Sequence, residues 1–206
     1  MSDINILAID CSLKKTGVAI CDSQKFLAHE QQDLGRNQSF ELPFMTERVL
    51  KNSGLSWNDI NYVAVTKGPG YFTGIRVGAS YATGIAFALG VKIIPVSSLS
   101  VLSRSFNFND EFLTLVYAGH GFVYASAKNL LEGEYSHDEI FSWLANHNEI
   151  KTIISDDSSK LNMNQQIKNV NPEIFSLCEI ARENIHDAIN PTDLKISYYR
   201  APQGVF

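Results

Sequence analysis

Several protein classes are excluded by what this sequence of 206 residues lacks. No stretch approaches the roughly 18 uninterrupted apolar residues of a membrane span, and the N terminus has neither the basic region nor the cleavage pattern of a signal peptide. The glycine-rich segment at residues 67–78 lacks the Gly-Lys-Ser/Thr triplet of a P-loop and the Gly-x-Gly-x-x-Gly spacing of a dinucleotide fingerprint. We therefore expect a soluble cytoplasmic protein without a membrane partner.

Cysteine is also scarce, with only Cys11, Cys21 and Cys178 in the whole chain. The three are odd in number and far apart in sequence, and they lack the close pairs of a zinc site. Such cysteines are typical of a reducing compartment, where they act as small apolar residues. The sequence therefore predicts no metal site built on cysteine.

Basic residues are too few and too scattered to form a nucleic-acid surface. The net charge is −5, with ten basic and eight acidic residues in 1–106 but seven and fourteen in 107–206. Because an acidic half repels phosphate backbones, independent binding of nucleic acid is disfavoured. We expect any contact with RNA to require a partner.

The first half of the chain has the pattern of a three-strand meander followed by alternating helices and strands. The predicted strands lie at residues 4–10, 16–22, 25–33, 61–66 and 91–96. A first helix is predicted from an N-cap at Ser39 to about residue 52, before Gly54, and a second over 73–89, closed by Gly90. A third begins near Ser97 or Ser98.

The pattern begins again after a polar turn at residues 105–110. Strands are predicted at 112–118 and 122–128, joined by Gly119-His120-Gly121, and at 152–155. Ser136 should cap a helix through residue 146, and Pro172 should lie in the first turn of a helix reaching about 184. We therefore predict an α/β protein with an N-terminal lobe at 1–106 and a smaller C-terminal lobe at 107–206.

Residues 67–78 (KGPGYFTGIRVG) place a glycine loop between a strand and a helix. We expect positive φ at Gly68 and Gly70, and Thr73 as the cap of the first free N–H groups of the helix. This geometry can receive an anion or a closely packed neighbour. A tight turn with close helix packing would explain the same glycines.

The helix after this loop carries small residues along almost one whole side. Because a helical glycine costs roughly 1 kcal/mol relative to alanine, a close neighbour must compensate for Gly74 and Gly78. The neighbour could be an element of this chain or a second subunit. We hypothesise that Gly74, Gly78 and Ala82 receive a partner helix, with Arg76 as a polar anchor or a brace of the loop.

Four segments closely resemble, in the same order, the bacterial TsaB family, also called YeaZ: 6–12 (ILAIDCS), 67–78, 84–86 (GIA) and 95–99 (PVSSL). The resemblance spans roughly residues 4–104. After residue 104 the resemblance is limited to two short segments, Val123-Tyr124 and Tyr198-Tyr199-Arg200. It implies a two-lobed actin/hexokinase-like (ribonuclease H-like) fold, in which each lobe is a mixed sheet flanked by helices.

The resemblance also implies a role. Members of this family are non-catalytic subunits of the machinery that installs N6-threonylcarbamoyladenosine in tRNA. They pair with a TsaD-like catalytic paralogue, which a TsaE-like ATPase joins, and a homodimer is expected for the chain alone. The expected partner surface comprises Phe44, Arg48, Phe72, Thr73, Gly74, Arg76, Val77, Gly78, Tyr81 and Ala82.

Catalytic members of the wider family hold a metal with a His-x-x-x-His pair, and this sequence has no such pair. The family's acidic run at the second hairpin is also missing, because residues 117–122 read YAGHGF. We therefore expect no catalysis and no cofactor in the isolated chain, with ATP or ADP only at an interface within the complex.

Two enzyme alternatives remain open. A small kinase or other phosphotransferase of the same superfamily would use Asp10, Ser12, Lys15, Gly119 and Gly121 on phosphates. An M22-type peptidase would use Cys11 or Ser12 as its nucleophile, although no histidine lies nearby in sequence to act as a base.

Overall fold

The computed structural model describes residues 4–106, 111–161, 163 and 165–199, which form two five-stranded mixed sheets flanked by helices. The first sheet contains β1 Ile6–Asp10, β2 Thr16–Cys21, β3 Phe26–Gln32, β4 Tyr62–Thr66 and β5 Lys92–Val96. The second contains β6 Phe112–Gly119, β7 Phe122–Ala127, β8 Leu130–Ser136, β9 Thr152–Ser155 and β10 Ile167–Asn169. The helices are α1 Gln38–Ser53, α2 Phe72–Leu89, α3 Ser98–Phe106, α4 His137–Ala145 and α5 Ile174–Glu183.

The two sheets repeat one topology. The first has the order β3-β2-β1-β4-β5, with an antiparallel meander of β1 to β3 and with β4 and β5 parallel to β1. The second has the order β10-β9-β6-β7-β8, in which β6 to β8 form the meander. This repetition confirms the predicted two-lobed α/β fold with a mixed sheet in each lobe.

Two strands of the second lobe were not predicted from the sequence. Strand β8 contains Glu132, Gly133 and Glu134, which interrupt the apolar alternation of a half-buried strand. Strand β10 has only three residues, and two of them are exposed. Both strands are specified by pairing with β7 and β9 rather than by their own side chains.

The ends of the helices correct three predictions. Helix α1 begins at Gln38 after a 3₁₀ turn, so Ser39 lies inside the helix and is not its cap. Thr73 is likewise helical, because Tyr71 occupies the N-cap position of α2. Pro172 precedes α5 rather than lying in its first turn. Left-handed Gly54 and Gly90 end α1 and α2, as predicted.

Helices cover both faces of the first sheet, because its strands alternate buried side chains to either side. Leu7 and Ile9 pack against α1 and α2, whereas Ile6 and Ala8 pack against α3 and α5. Each such fully buried Leu or Ile contributes about 1.5–3 kcal/mol through the hydrophobic effect.

Helix α5 follows the second sheet in the chain but belongs to the first lobe. It contacts β1, β2, β4 and β5, and farther along the chain Ile189 pairs with Ile93 beside β5. Residues 174–198 therefore return to the first lobe, whereas the Tyr199 hydroxyl donates to Glu132 of the second. The predicted division into 1–106 and 107–206 places this segment in the wrong lobe.

The predicted polar turn between the lobes falls partly on residues 107–110, which lie outside the described residues, as does Arg200 of the C-terminal motif. Among the helices of the described ranges, none is both long enough and apolar enough to span a bilayer.

Candidate functional site

Asp10 ends β1 and is fully buried. Its Oδ1 accepts hydrogen bonds from the Ser12 backbone N–H at 2.8 Å, the Ser12 hydroxyl at 2.7 Å and the Thr66 hydroxyl at 2.8 Å. Its Oδ2 is buried without a hydrogen-bond partner among the described residues. Burial raises the pKa of the Asp10 carboxyl, against the lowering effect of the hydrogen bonds from Ser12 and Thr66. Asp10 thus caps a turn and ties β1 to β4.

The glycine loop packs directly on the segment after Asp10. The Tyr71 N–H donates to the Ser12 carbonyl at 2.8 Å. A Cβ at Gly70 would lie 2.3 Å from that carbonyl oxygen, and a Cβ at Gly74 would lie 1.9 Å from the carbonyl oxygen of Cys11. Only glycine permits this crossing of the α2 N terminus over the chain at Cys11 and Ser12.

The hypothesis that a partner helix covers Gly74, Gly78 and Ala82 is therefore wrong. All three residues are buried within the first lobe, and a Cβ at Gly78 would lie 3.3 Å from Cβ of Cys11. The positive φ expected at Gly68 is present at 95°, whereas Gly70 is not among the glycines with positive φ. At Gly70 the glycine is required by close approach alone.

The two lobes are joined across the cleft by a contact between Tyr71 and Asp156. The Tyr71 hydroxyl donates to Asp156 Oδ2 at 2.8 Å, and Lys160 Nζ donates to the Tyr71 hydroxyl at 2.9 Å. Among the described residues, Asp156 Oδ1 is buried without a hydrogen-bond partner. Burial raises the pKa of Asp156, and burial together with the charge of Asp156 raises the pKa of Tyr71. Protein groups therefore bridge the lobes where the loops after β1, β4 and β9 meet.

Beside this contact lies an interlobe cavity of about 670 Å³. Its charged lining residues are Lys14, Asp33, Arg36, Asp157 and Lys160. The charges are mixed in sign, and Lys160 Nζ lies 3.3 Å from Asp157. In the described part of the chain, no group of three or more His, Cys, Asp or Glu side chains is arranged to hold a metal ion.

The remaining candidates for phosphate contact are Lys15, Gly119 and Gly121. Lys15 is half-buried in the β1–β2 connection. Gly119, His120 and Gly121 all have positive φ and form the predicted β6–β7 hairpin, where the Gly121 carbonyl accepts the N–H of His137 in its own lobe. The structure thus brings Asp10 and Ser12 together, and it accounts for the hairpin glycines by the positive φ of the turn.

The candidate nucleophiles Cys11 and Ser12 are both fully buried. Burial, with the charge of Asp10, raises the pKa of the Cys11 thiol, which keeps it protonated. The Ser12 hydroxyl is held by Asp10. Neither residue has the solvent access or the base that nucleophilic catalysis needs.

A different surface of the first lobe exposes large apolar side chains. Phe40 is 67% exposed, Phe44 51%, Phe72 40% and Phe87 73%. The rings of Phe40 and Phe44 are 5.4 Å apart on α1. Since the Gln38 side chain of α1 lies against Gly74 of α2, the N-terminal ends of these helices are adjacent. The Phe72 ring at the start of α2 lies 5.5 Å from the ring of Tyr198. We call the exposed side of α1 and α2 the helical face.

The helical face contains some predicted partner residues and not others. Phe44, Phe72 and Thr73 are exposed on it. Val77 and Tyr81 are half-buried against the core of the lobe. Sequence reasoning missed Phe40, Phe87 and Gly84, at which a Cβ would meet no atom within 4 Å. The four-residue spacing of Phe40 and Phe44 could have revealed their shared face.

The two predicted arginines are exposed, and both have partners within the chain. Arg48 forms a bidentate ion pair with Glu30, with a shortest distance of 2.7 Å. Arg76 Nε donates to the Tyr198 hydroxyl at 2.8 Å, and its guanidinium carbon lies 3.8 Å from the centre of the Phe72 ring. Arg76 thus braces the C-terminal segment against the start of α2.

Comparisons with known proteins find a matching family model and several relatives of this chain. A family model described as "TsaD: tRNA N6-adenosine threonylcarbamoyltransferase" matches residues 32–181. A tRNA threonylcarbamoyladenosine biosynthesis protein TsaB of Buchnera aphidicola (subsp. Schizaphis graminum) is 33% identical over 69% of this chain and 65% of its own length. The TsaB protein of Escherichia coli K12 is 32% identical over 68% of this chain and 58% of its own length. The matches thus span less than two thirds of these relatives.

The solved structure of YeaZ from Pseudomonas aeruginosa superimposes with a TM-score of 0.77 at 18% identity, covering 95% of this chain and 99% of that one. Fold and site together define a two-lobed α/β protein of the actin/hexokinase-like class, in which a fully buried aspartate, Asp10, ends the first strand. The family model covers most of the sequence, and the two relatives named above are TsaB proteins, so the chain belongs to the TsaB (YeaZ) family.

Proposed function

We propose that this protein is a non-catalytic subunit of the machinery that forms N6-threonylcarbamoyladenosine in tRNA. It would pair through the helical face with a TsaD-like catalytic subunit of the same fold, and a TsaE-like ATPase would join this pair. Contact with tRNA would be indirect, because the second half of the chain is acidic.

The observation that carries this proposal is the exposed phenylalanine pair Phe40 and Phe44 on α1, together with the exposed Phe72 at the start of the adjacent α2. Phe40 and Phe44 expose more than half of their surface, and Phe72 exposes 40%. Exposed aromatic side chains on one side of a lobe are typical of protein interaction sites, since burying them against a partner is favoured by the hydrophobic effect. In the absence of the catalytic partner, the same face would pair two copies about a two-fold axis.

The burial and hydrogen bonds of Asp10, in the cleft between the lobes, support the proposal that this protein is not a catalyst. Asp10 is fully buried, and protein groups already occupy three positions around its Oδ1. The Tyr71–Asp156 contact bridges the lobes beside it. An acid in this environment cannot position a hydrated magnesium ion without rearrangement of the loop.

The test is replacement of the chromosomal gene by a Phe44→Asp variant, with Leu131→Asp as the matched control. Leu131 is 86% exposed on β8 of the second lobe, so both variants place a charge on an exposed apolar residue. The N6-threonylcarbamoyladenosine content of total tRNA is then measured by mass spectrometry of the nucleosides. We expect Phe44→Asp to lower it by about tenfold or more, because a charge in an interface core is desolvated without a partner. Wild-type content with Phe44→Asp, or equal loss with Leu131→Asp, would contradict the proposal.

We further propose that the isolated chain uses no nucleotide, and that ATP or ADP would bind only at a seam with the catalytic subunit. Calorimetric titration of the isolated protein with ATP and magnesium should then give no binding in the micromolar range. Micromolar binding accompanied by release of phosphate would instead favour a small kinase.

A further inference from the structure

Arg76 is held in a fixed position on the exposed side of α2. Its guanidinium carbon lies 3.8 Å from the centre of the Phe72 ring and 5.6 Å from the centre of the Tyr198 ring. Its Nε donates a hydrogen bond to the Tyr198 hydroxyl at 2.8 Å. An arginine that is stacked on one aromatic ring and hydrogen-bonded to another side chain has fewer accessible conformations than a free one.

The segment that carries Tyr198 is itself anchored at both sides of this residue. The Ser197 N–H donates to the carbonyl of Lys67 in the glycine loop at 2.8 Å. The Tyr199 hydroxyl donates to Glu132 of the second lobe at 3.0 Å. Tyr198 can therefore position Arg76, although the two residues are 122 positions apart in sequence.

The terminal nitrogens of Arg76 have no hydrogen bond or ion pair with the residues that the structure describes. Arg48 and Arg104 differ in this respect, because each forms a bidentate pair with a glutamate of this chain, Glu30 and Glu183. In Arg76 the Nε is used within the chain, whereas Nη1 and Nη2 carry the remaining N–H donors of the guanidinium group. These donors lie at a fixed place on the surface.

Arg76 lies in the row of exposed residues through which α2 contributes to the helical face. Phe72, Arg76, Ser80 and Gly84 are all exposed and follow one another at four-residue spacing, so they share one side of the helix. A partner that buries Phe72 must also cover Arg76, which is stacked on that ring. A guanidinium group that is removed from water needs an anion as its partner, because an unpaired buried charge is costly.

We propose that Arg76, positioned by Phe72 and Tyr198, is a preorganised fork that binds the carboxylate of an aspartate or glutamate on the partner protein, an inference that rests on the proposed function of the helical face. A guanidinium group matches a carboxylate through two parallel N–H···O bonds. Because the fork is already ordered, its binding costs little further conformational entropy. A phosphate of RNA has a similar shape, but the net charge of −5 and the exposed phenylalanines favour a protein.

The experiment is calorimetric titration of the full chain with the TsaD-like subunit of the same organism. We expect Arg76→Ala to weaken binding by about thirtyfold or more, because the partner's carboxylate is left buried without its counter-ion. Arg76→Lys should weaken it by about tenfold, since lysine keeps the charge but lacks the planar fork and its stacking. Arg104→Lys is the matched control and should bind as the wild type does, because Arg104 already pairs with Glu183 and lies on α3, on the opposite face of the sheet.

Tyr198 is a positioning residue in this proposal, and a double-mutant cycle tests that role. Tyr198→Phe removes the hydroxyl that holds Arg76 Nε and should weaken binding by about threefold to tenfold. In the Arg76→Ala background the same change should have no effect on affinity, because the group that it positions is absent. Equal effects in the two backgrounds would overturn the positioning role of Tyr198.

Carbodiimide coupling within the complex tests the chemistry of the contact directly. This reagent joins a lysine to a carboxylate in contact with it, but it does not join an arginine. The complex of Arg76→Lys should therefore give a cross-link from position 76 to an aspartate or glutamate of the TsaD-like subunit, which peptide mass spectrometry locates. Absence of this cross-link in a complex that still forms would overturn the proposed carboxylate contact.

The affinities separate failure of the fork from failure of the proposed function. If Phe44→Asp weakens binding but Arg76→Ala does not, the fork is wrong and the proposed function stands. If Arg76→Ala lowers the affinity of the assembled complex for tRNA and leaves the affinity for the TsaD-like subunit unchanged, the fork binds phosphate and the proposal is also overturned. Equal affinities of the wild type, Phe44→Asp and Arg76→Ala would contradict both. Arg76→Lys decides the matter if Arg76→Ala has a lowered melting temperature.

Discussion

Replacing Gly74 with alanine should destabilise this protein, whereas the same change at Gly84 of the same helix should stabilise it. The new Cβ at position 74 would lie 1.9 Å from the Cys11 carbonyl oxygen, a backbone atom that cannot move aside as a flexible side chain can. Overpacking of this kind lowers the free energy of unfolding by about 1–3 kcal/mol or more, and the better helix propensity of alanine offsets at most about 1 kcal/mol of this loss. At Gly84 no atom lies within 4 Å, so only the gain of up to about 1 kcal/mol remains.

The free energy of unfolding of each variant is measured by urea denaturation. We expect Gly74→Ala to lose about 2 kcal/mol, so that the two variants differ by about 3 kcal/mol with unchanged dependence on urea. If Gly74→Ala unfolds at the same urea concentration as the wild type or higher, Cys11 does not impose glycine at this position. Loss of partner binding without loss of stability would restore the hypothesis of a partner helix at Gly74.

Two further predictions concern the cleft. Because burial raises the pKa of Asp10, its folded form keeps the proton while the unfolded chain releases it above the ordinary value of 3.8, so stability falls as pH rises. The wild type should therefore lose stability relative to Asp10→Asn from about pH 4 upward, and a constant difference in urea titrations at several pH values would count against the raised pKa. Tyr71→Phe removes the hydroxyl that Asp156 and Lys160 share and should lower the free energy of unfolding by about 1–3 kcal/mol. A change below about 0.5 kcal/mol in the same assay would show that this bridge does not hold the lobes together.

The sequence was sufficient for the elements with strong local signals. The β-branched run of β4, the glycines that end α1 and α2, and the N-cap at Ser136 all lie where predicted. In these elements the local sequence signal specifies the same structure that the complete fold contains. A strand as short and exposed as β10 is specified by its pairing with β9, which its own residues do not reveal.

The helix after the glycine loop shows the limit of such reasoning most clearly. Its small residues correctly indicated a close approach, but a glycine does not specify which backbone approaches it. The neighbour is Cys11 of the same chain, brought there by parallel pairing of β1 and β4. The helical face instead carries large exposed residues, Phe40 and Phe44, that look like ordinary core positions in the sequence.

The most direct test of the central claim is the affinity of the purified chain for the TsaD-like subunit of the same organism, measured by calorimetry with wild type, Phe44→Asp and Leu131→Asp. The account predicts that Phe44→Asp weakens binding by about a hundredfold or more at unchanged melting temperature, while Leu131→Asp binds as the wild type does. Equal affinities of all three proteins would contradict the claim that the helical face binds the catalytic subunit.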